Sequence, residues 1–106
     1  MTYSKVDGVE LPVSRIVMGT LFAKNVQQAG PVFDEFVSQG GNCFDTARHY
    51  GDAELVFGEW MWERGVREDT VVITKGAHTP EWNPAAVTRQ LDESLERLQT
   101  DFIDIY

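Results

Sequence analysis

The stretch TVVITKGAHTPEWNPAAVTRQLDESLERLQTDFIDIY (residues 70–106) decides the fold class. It opens with the β-branched run TVVITKG, which is typical of a strand. Residues 83–99 then predict a helix, because Asn83 can cap its start and Pro84 suits its first turn. A second strand begins with DFIDIY (residues 101–106). Strand, helix and strand in this order predict a parallel βαβ unit.

The helix predicted within this stretch carries two further patterns. One is an apolar stripe at spacings of four, four and three residues, made of Val87, Leu91, Leu95 and Leu98. The other is a pair of opposite charges one turn apart on another face, where we expect Glu93 and Arg97 to form an ion pair.

The N-terminal part of the chain predicts a hairpin, a strand and a helix. Asp7-Gly8 is a turn signal, so we expect residues 1–12 to form a hairpin. Residues 14–20 (SRIVMGT) are typical of a buried strand that ends at glycine. Residues 31–41 (PVFDEFVSQGG) predict a helix, because the apolar residues share one face and two glycines follow. The residues expected on that face are Val32, Phe33, Phe36 and Val37.

The middle of the chain predicts another strand and another helix. NCFDTA (residues 42–47) indicates a short strand. Asp52 suits the N-cap of the helix that follows, and Gly65 suits its end. Trp60 and Trp62 lie two residues apart on this helix and cannot share a face. We therefore expect one tryptophan in the core and the other largely at the surface.

Single helices alternating with short strands leave two architectures, an open doubly wound sheet and a (β/α)8 barrel. The glycine-rich turn of a dinucleotide-binding open sheet is missing, since MGTLFAKN (residues 18–25) occupies its place. This favours the α/β barrel. A barrel of this kind needs about 250 residues. The 106 residues are therefore expected to form the N-terminal fragment of a single barrel domain, incomplete in this chain, with about four strands and three helices.

A partial barrel has a physical consequence for stability. It leaves two open strand edges and an uncovered inner face of apolar side chains. We therefore predict that this chain alone is poorly stable, or that it self-associates to cover that face.

Composition excludes several classes of partner. The net charge of −8 argues against nucleic acid and against an anionic membrane surface. No apolar run approaches the roughly 20 residues of a membrane span, and the polar N-terminus lacks the core of a signal peptide. The single cysteine, Cys43, excludes an internal disulfide and fits a reducing cytoplasm. It is expected to be a buried core residue, and we expect no metal site.

Three polar residues lie where the predicted strands end. Asp45 is near the end of the second strand, Lys75 is near the end of the third, and Tyr50 follows in a loop. In barrels, the working residues project from these strand ends. Strand alternation turns Lys75 and Asp45 to the same inner face, and adjacent strands lie about 4.8 Å apart. We therefore expect these two side chains to form an ion pair.

A lysine beside a tyrosine lowers the pKa of the tyrosine hydroxyl, because the ammonium stabilises the phenolate. The ordinary pKa of a phenol is about 10, which makes it a poor proton donor near neutrality. Lowering a phenol pKa by about three units requires about 4 kcal/mol. One unit charge about 4 Å away supplies roughly that energy at an effective dielectric near 20, so the site must be partly dry. Such a phenol is a general acid for a carbonyl oxygen.

Three stretches in this order resemble the aldo-keto reductases. They are GGNCFDTARHYG (residues 40–51), ITK (residues 73–75) and ESLERLQTDFIDIY (residues 93–106). The resemblance implies a (β/α)8 barrel oxidoreductase that reduces a small aldehyde or ketone with NADPH.

The resemblance also implies roles for individual residues. Tyr50 corresponds to the proton donor, Lys75 to the partner that makes it acidic, and Asp45 to the anchor of that lysine. Gly19 and Thr20 match a pair that lies beside the nicotinamide end of the cofactor. The fourth catalytic residue of the family is a histidine beyond the position of Tyr106, and most of the cofactor site belongs to later strands. We therefore expect the chain alone to be inactive.

Two other functions stay open from the sequence. Lys75 could form a Schiff base in a barrel lyase, although that role needs a neutral amine and Asp45 favours the charged one. The chain could also be a cofactor-binding regulatory subunit without catalysis. Further candidates for substrate contact are His78 and Trp82, both in the loop after the third strand.

Overall fold

The computed structural model describes residues 1–106 as three helices packed on a small parallel sheet, with an N-terminal hairpin beside it. The strands are β1 (Tyr3–Ser4), β2 (Val13–Ser14), β3 (Val17–Gly19), β4 (Cys43–Asp45) and β5 (Val71–Ile73), and the helices are α1 (Val26–Ser38), α2 (Ala53–Arg64) and α3 (Pro84–Arg97). A single 3-10 turn covers Arg67–Asp69. No helix has both the length and the apolar character that crossing a membrane requires.

The sheet has the order β3-β4-β5, with parallel pairing throughout. Gly19 pairs with Asp45, and Asp45 pairs with Ile73. A parallel bridge from Ile73 to Ile105 adds a fourth strand position beyond β5. One helix connects each successive pair of strand positions, as the βαβ pattern of the sequence predicts.

The two faces of the sheet pack against different partners. Phe44 and Val72 belong to the core that faces the helices. Cys43 and Val71 point the other way and contact Val13 of the hairpin; both are fully buried. The expectation of an uncovered inner face is therefore wrong at this end of the sheet, because the hairpin covers it.

The helix-facing core is built around one aromatic ring. Phe33 of α1 lies edge-on to three other rings, with centroid distances of 5.5 Å to Phe44, 5.7 Å to Phe57 and 5.3 Å to Trp60. Such geometry is favourable for aromatic pairs. As predicted, the two tryptophans of α2 differ, since Trp60 is 1% exposed and Trp62 is 72% exposed.

Helix α1 begins five residues earlier than predicted. Asn25 caps it by accepting a hydrogen bond from the Gln28 amide at 2.9 Å. Pro31, which suggested a start from the sequence, lies inside the helix. The capping residue decides the start, and proline marks only a position without an amide donor.

The predicted apolar face of α1 is buried only in part. Phe33 and Phe36 are buried, whereas Val32 and Val37 are 42% and 38% exposed. The two phenylalanines fill the space between the helix and the sheet, so the valines are left at its margins.

The predicted boundary between the hairpin and the next strand is also wrong. Ser14 belongs to the hairpin, where it pairs with Tyr3, and β3 starts only at Val17. The Ser14 hydroxyl donates to the Ile16 carbonyl at 2.8 Å. Asn42 binds the same residue, because its Oδ1 accepts from the Ser14 amide at 2.9 Å. These bonds turn the chain between the two strands.

Helix α2 has the predicted ends, with one difference. Gly65 closes it in the left-handed conformation (φ 63°), which glycine adopts without strain. Asp52 occupies the N-cap position, but its side chain makes no capping hydrogen bond.

Helix α3 starts where predicted, with Asn83 Oδ1 accepting from the Ala86 amide at 3.0 Å. Its buried face differs from the apolar stripe, because Ala86, Gln90 and Ser94 face the core and only Leu98 of the stripe is fully buried.

The ion pair predicted within α3 does not form. Glu93 instead binds Arg48 at 2.6 Å, and Arg97 binds Glu54 at 3.1 Å. Both partners lie in the preceding unit, on the loop after β4 and on α2. Within α3, Glu93 pairs instead with Arg89, at 3.7 Å.

Candidate active site

Asp45 and Lys75 meet where β4 and β5 end. The Lys75 ammonium donates to Asp45 Oδ1 at 2.6 Å and to the Thr46 carbonyl, also at 2.6 Å. The ion pair expected from strand alternation is therefore formed. Two acceptors on β4 and its continuation fix the position of the ammonium.

The Tyr50 ring lies beside the Lys75 ammonium of this ion pair. The Lys75 Nζ is 4.9 Å from the centroid of the Tyr50 ring, within the range of a cation–π contact. The loop that carries the ring is fastened to β5 by main-chain bonds of 2.9 Å, from the Thr46 amide to Ile73 and from the Arg48 amide to Lys75. Asp45, Tyr50 and Lys75 thus converge at one rim of the sheet.

The site is open to water. The Lys75 and Asp45 side chains are 39% and 36% exposed. A single lysine makes a phenol acidic only in a partly dry site, because water screens the field of an exposed charge. In these 106 residues the ion pair is formed but not enclosed.

Gly19 and Thr20 continue the same rim on the other side of Asp45. The Thr20 amide donates to the Asp45 carbonyl at 2.9 Å. Thr20 is fully buried, and its hydroxyl has no hydrogen-bond partner. A Cβ added to Gly19 would meet no atom within 4 Å. The rim therefore combines open space at Gly19 with a buried, unpaired hydroxyl at Thr20.

Two histidines stand beside the tyrosine. The rings of His49 and His78 lie 4.2 Å apart, and the His49 ring lies 5.1 Å from that of Tyr50. Partial desolvation lowers the pKa of His49, and the charges of His78 and Lys75 lower it further, so the neutral imidazole is favoured.

A cleft of about 410 Å³ contains the two histidines in its lining, which consists mostly of charged and polar residues. The lining consists of Arg48, His49, His78, Thr79, Pro80, Glu81, Arg89, Gln90 and Glu93. Trp82 is not among these residues and is 68% exposed, so it does not form a wall of the cleft.

Cys43 lies two residues before Asp45 on β4. Burial raises the pKa of the Cys43 thiol to about 11, and the nearby carboxylates of Asp104 and Asp45 act in the same direction. The thiol is therefore an inert core group, as the sequence predicts.

Glu54 was not predicted from the sequence as a functional residue. This carboxylate is fully buried beneath the site, where it accepts hydrogen bonds from Thr74 and Arg97. The available signal was its spacing on α2, because Glu54 shares a helix face with Gly58 and Met61, both of which are buried.

Comparison with known proteins identifies the family. The model of the Aldo/keto reductase family matches residues 15–106. Norsolorinic acid reductase B of Aspergillus parasiticus is 36% identical over 103 residues, covering 82% of this chain and 27% of that protein. The aldo-keto reductase YhdN of Bacillus subtilis is 31% identical over an alignment of 126 positions, which covers 100% of this chain and 37% of that protein. The chain thus spans about a quarter to two fifths of the length of these relatives.

Solved structures agree with the sequence comparisons. PA4992 of Pseudomonas aeruginosa, described as an aldo-keto reductase, has a TM-score of 0.83 at 28% identity, covering 95% of this chain and 43% of that one. The thermostable aldo-keto reductase Tm1743 shares the fold, with a TM-score of 0.79 at 21% identity over 97% of this chain and 40% of that one. Both are (β/α)8 barrels. The chain therefore belongs to the aldo/keto reductase family, and its 106 residues form part of the barrel of that family.

Proposed function

We propose that these residues belong to an oxidoreductase that reduces an aldehyde or ketone to an alcohol with NADPH, and that Tyr50 is the proton donor. The single observation that carries the proposal is the position of the Lys75 ammonium, bonded to Asp45 at 2.6 Å and lying 4.9 Å from the Tyr50 ring centroid. Membership of the family supports the reaction class, since its members use a nicotinamide cofactor.

Each of the three residues has a separate task. Tyr50 transfers its hydroxyl proton to the carbonyl oxygen of the substrate, which becomes the hydroxyl of the alcohol. Lys75 stabilises the phenolate that remains. The Lys75 Nζ lies 4.9 Å from the ring centroid, and water screens its charge while the site is open. Asp45 and the Thr46 carbonyl accept hydrogen bonds from the ammonium and hold it beside the ring.

NADPH, when bound, supplies the hydride that the carbonyl carbon accepts. We propose that Gly19, Thr20 and Asp45 hold its nicotinamide end. The open space at Gly19 admits a flat ring, and the buried hydroxyl of the neighbouring Thr20 is left without a partner in these residues.

We also propose that activity requires barrel strands beyond these 106 residues. The chain spans 27% and 37% of two relatives, and its ion pair is more than a third exposed. Enclosure by later strands would exclude water and strengthen the interaction between Lys75 and Tyr50. The free, buried thiol of Cys43 agrees with a cytoplasmic location.

The geometry disfavours the lyase alternative. A Schiff base requires a neutral amine at Lys75, whereas the ammonium is bonded to a carboxylate at 2.6 Å. Borohydride trapping of Lys75 with a carbonyl compound would support the lyase. A cofactor-binding regulatory role predicts NADPH binding without turnover.

The test is an absorbance assay of NADPH oxidation with a simple aldehyde. It is run on the chain alone and on the chain joined to the later barrel strands of a relative such as YhdN. We expect turnover only in the joined protein, and a loss of about 10² to 10⁴-fold in Tyr50→Phe, the usual contribution of a general acid.

Tyr3→Phe is the matched control, since it removes a phenol hydroxyl from the hairpin, where it donates to the Gly40 carbonyl. Its turnover should stay near that of the parent. Equal rates for Tyr50→Phe and the parent would overturn the assignment of the proton donor.

A further inference from the structure

Glu54 is a buried carboxylate that no step of the proposed reaction uses. It lies in the first turn of α2 and is fully buried. A charge in such a place is retained only when it is paired and hydrogen-bonded, since its burial is otherwise very unfavourable. The partners of Glu54 therefore indicate what it holds together.

The two carboxylate oxygens of Glu54 bind different elements. Oε1 accepts from the Thr74 hydroxyl at 2.6 Å, and Oε2 accepts from Arg97 Nε at 3.1 Å. Thr74 follows β5 and is 1% exposed, whereas Arg97 is the last residue of α3. One carboxylate thus joins the first turn of α2 to the end of a strand and to the end of a second helix.

Both partners lie next to the candidate active site. Thr74 directly precedes Lys75 in the chain. Arg97 also donates through Nη2 to the carbonyl of Gly51, the residue that follows Tyr50. The Tyr50 carbonyl in turn accepts from the amide of Ala53, the first residue of α2, at 3.0 Å. The network therefore connects the backbone that carries the ammonium to the backbone that carries the phenol.

A close helix contact brings Arg97 to this place. Gly58 lies one turn after Glu54 on the same face of α2, and a Cβ there would lie 2.7 Å from the Arg97 carbonyl and from the Leu98 Cα. Any larger residue at position 58 would displace the end of α3. The contact of Gly58 with α3 explains why Arg97 pairs with Glu54 across two helices.

We propose that Glu54, Thr74 and Arg97 are positioning residues, which set the distance between the Lys75 ammonium and the Tyr50 ring. This inference rests on the proposed roles of Lys75 and Tyr50 in the reaction. It adds that their alignment depends on a buried network that never touches the substrate.

The experiment is proton NMR of the 106-residue chain and its variants. An ammonium 4.9 Å from a ring centroid places the Lys75 ε-methylene protons in the ring current of Tyr50. Their resonance should be shifted upfield from those of Lys5 and Lys24, the other two lysines, and should show nuclear Overhauser contacts to the Tyr50 ring. Neither signal requires catalysis or cofactor.

Two variants break the network without a large change of shape. Thr74→Val removes the hydroxyl donor, and Glu54→Gln removes the charge. In each we expect the Lys75 resonance to move at least half of the way toward those of Lys5 and Lys24, with loss of the contacts to Tyr50. Thr74→Ser keeps the hydroxyl and should keep the parent signal.

Asp34→Asn is the matched control, which tests whether the loss of any contact between helices moves the Lys75 resonance. Asp34 binds Arg64 at 2.9 Å and the Trp60 indole at 2.8 Å, so it ties two helices together toward the other end of α2. This variant should leave the Lys75 resonance in place. All spectra are recorded well below the melting transition of each variant, as judged by circular dichroism.

The outcomes separate cleanly. An unmoved Lys75 resonance in folded Thr74→Val and Glu54→Gln would overturn the proposal, and so would an equal shift in Asp34→Asn. If Glu54→Gln fails to fold, Thr74→Val against Thr74→Ser decides. These results do not depend on the Tyr50→Phe assay, so failure of the proposed function and failure of the network are distinguishable.

Discussion

Replacing Arg97 by methionine tests how much the buried ion pair contributes to stability. The substitution keeps much of the aliphatic stem and removes the charge, which leaves the fully buried Glu54 without its ion-pair partner. Removing one partner of a buried pair costs about 3–5 kcal/mol. Because the Arg97 side chain is 19% exposed, water reaches the site, and we expect about 3 kcal/mol, the lower end of that range.

The assay is urea denaturation followed by tryptophan fluorescence, since Trp60 lies in the core. Sucrose in every sample strengthens burial and gives the parent a measurable native baseline. At an m-value of about 1–3 kcal/mol/M, a loss of about 3 kcal/mol lowers the urea midpoint by about 1–3 M.

Two further variants decide whether the cause is the stranded charge. Arg97→Met combined with Glu54→Gln removes both charges and should recover more than half of the lost stability. Arg89→Met breaks the pairs of Arg89 with Glu81 at 2.8 Å and with Glu93 at 3.7 Å. All three side chains are more than a third exposed, so the variant should cost below about 1 kcal/mol. The reasoning is refuted if Arg97→Met costs no more than Arg89→Met, or if the double variant is no more stable than Arg97→Met alone.

Three other predictions follow from burial and charge. The Cys43 thiol, whose pKa burial raises to about 11, should resist a thiol reagent near pH 8 until urea unfolds the chain; rapid labelling of the native chain would contradict its burial. His49 should titrate by NMR below the ordinary histidine value, and His78→Gln should bring its pKa partway back, whereas an unchanged titration would exclude coupling of the two rings. The chain should self-associate in sedimentation experiments, more strongly as salt screens its net charge of −8; a monomer with a sharp, concentration-independent unfolding transition would contradict this.

The part of the site that depends on strand geometry was predictable from the sequence. Side chains alternate along a strand and neighbouring strands keep a fixed spacing, so Asp45 and Lys75 had to meet once their strands were recognised as adjacent. The start of α3 was also predictable, because Asn83 caps it within one turn of the helix end, whereas Asp52 makes no capping hydrogen bond at the start of α2.

The parts that depend on contacts between elements were not predictable in the same way. The sequence of α3 alone does not indicate that Arg97 forms its ion pair with Glu54 and not with Glu93. That pairing depends on the close approach of α3 to Gly58. The start of α1 was obscured for a different reason, since Pro31 is a common first-turn residue that here lies inside the helix. The contact of Arg97 with Glu54 outweighed its pairing within α3, and the cap at Asn25 outweighed the preference of Pro31 for a first turn.

The hairpin bears on how this protein can be handled in the laboratory. Val13 lies over Cys43 and Val71, so the first fourteen residues close the floor of the sheet, although the match to the family begins only at residue 15. An expression clone that starts at residue 15 would lack Val13 and expose the Cys43 thiol. A purification tag is therefore safer as an addition before Met1 than as a replacement for the segment that follows it.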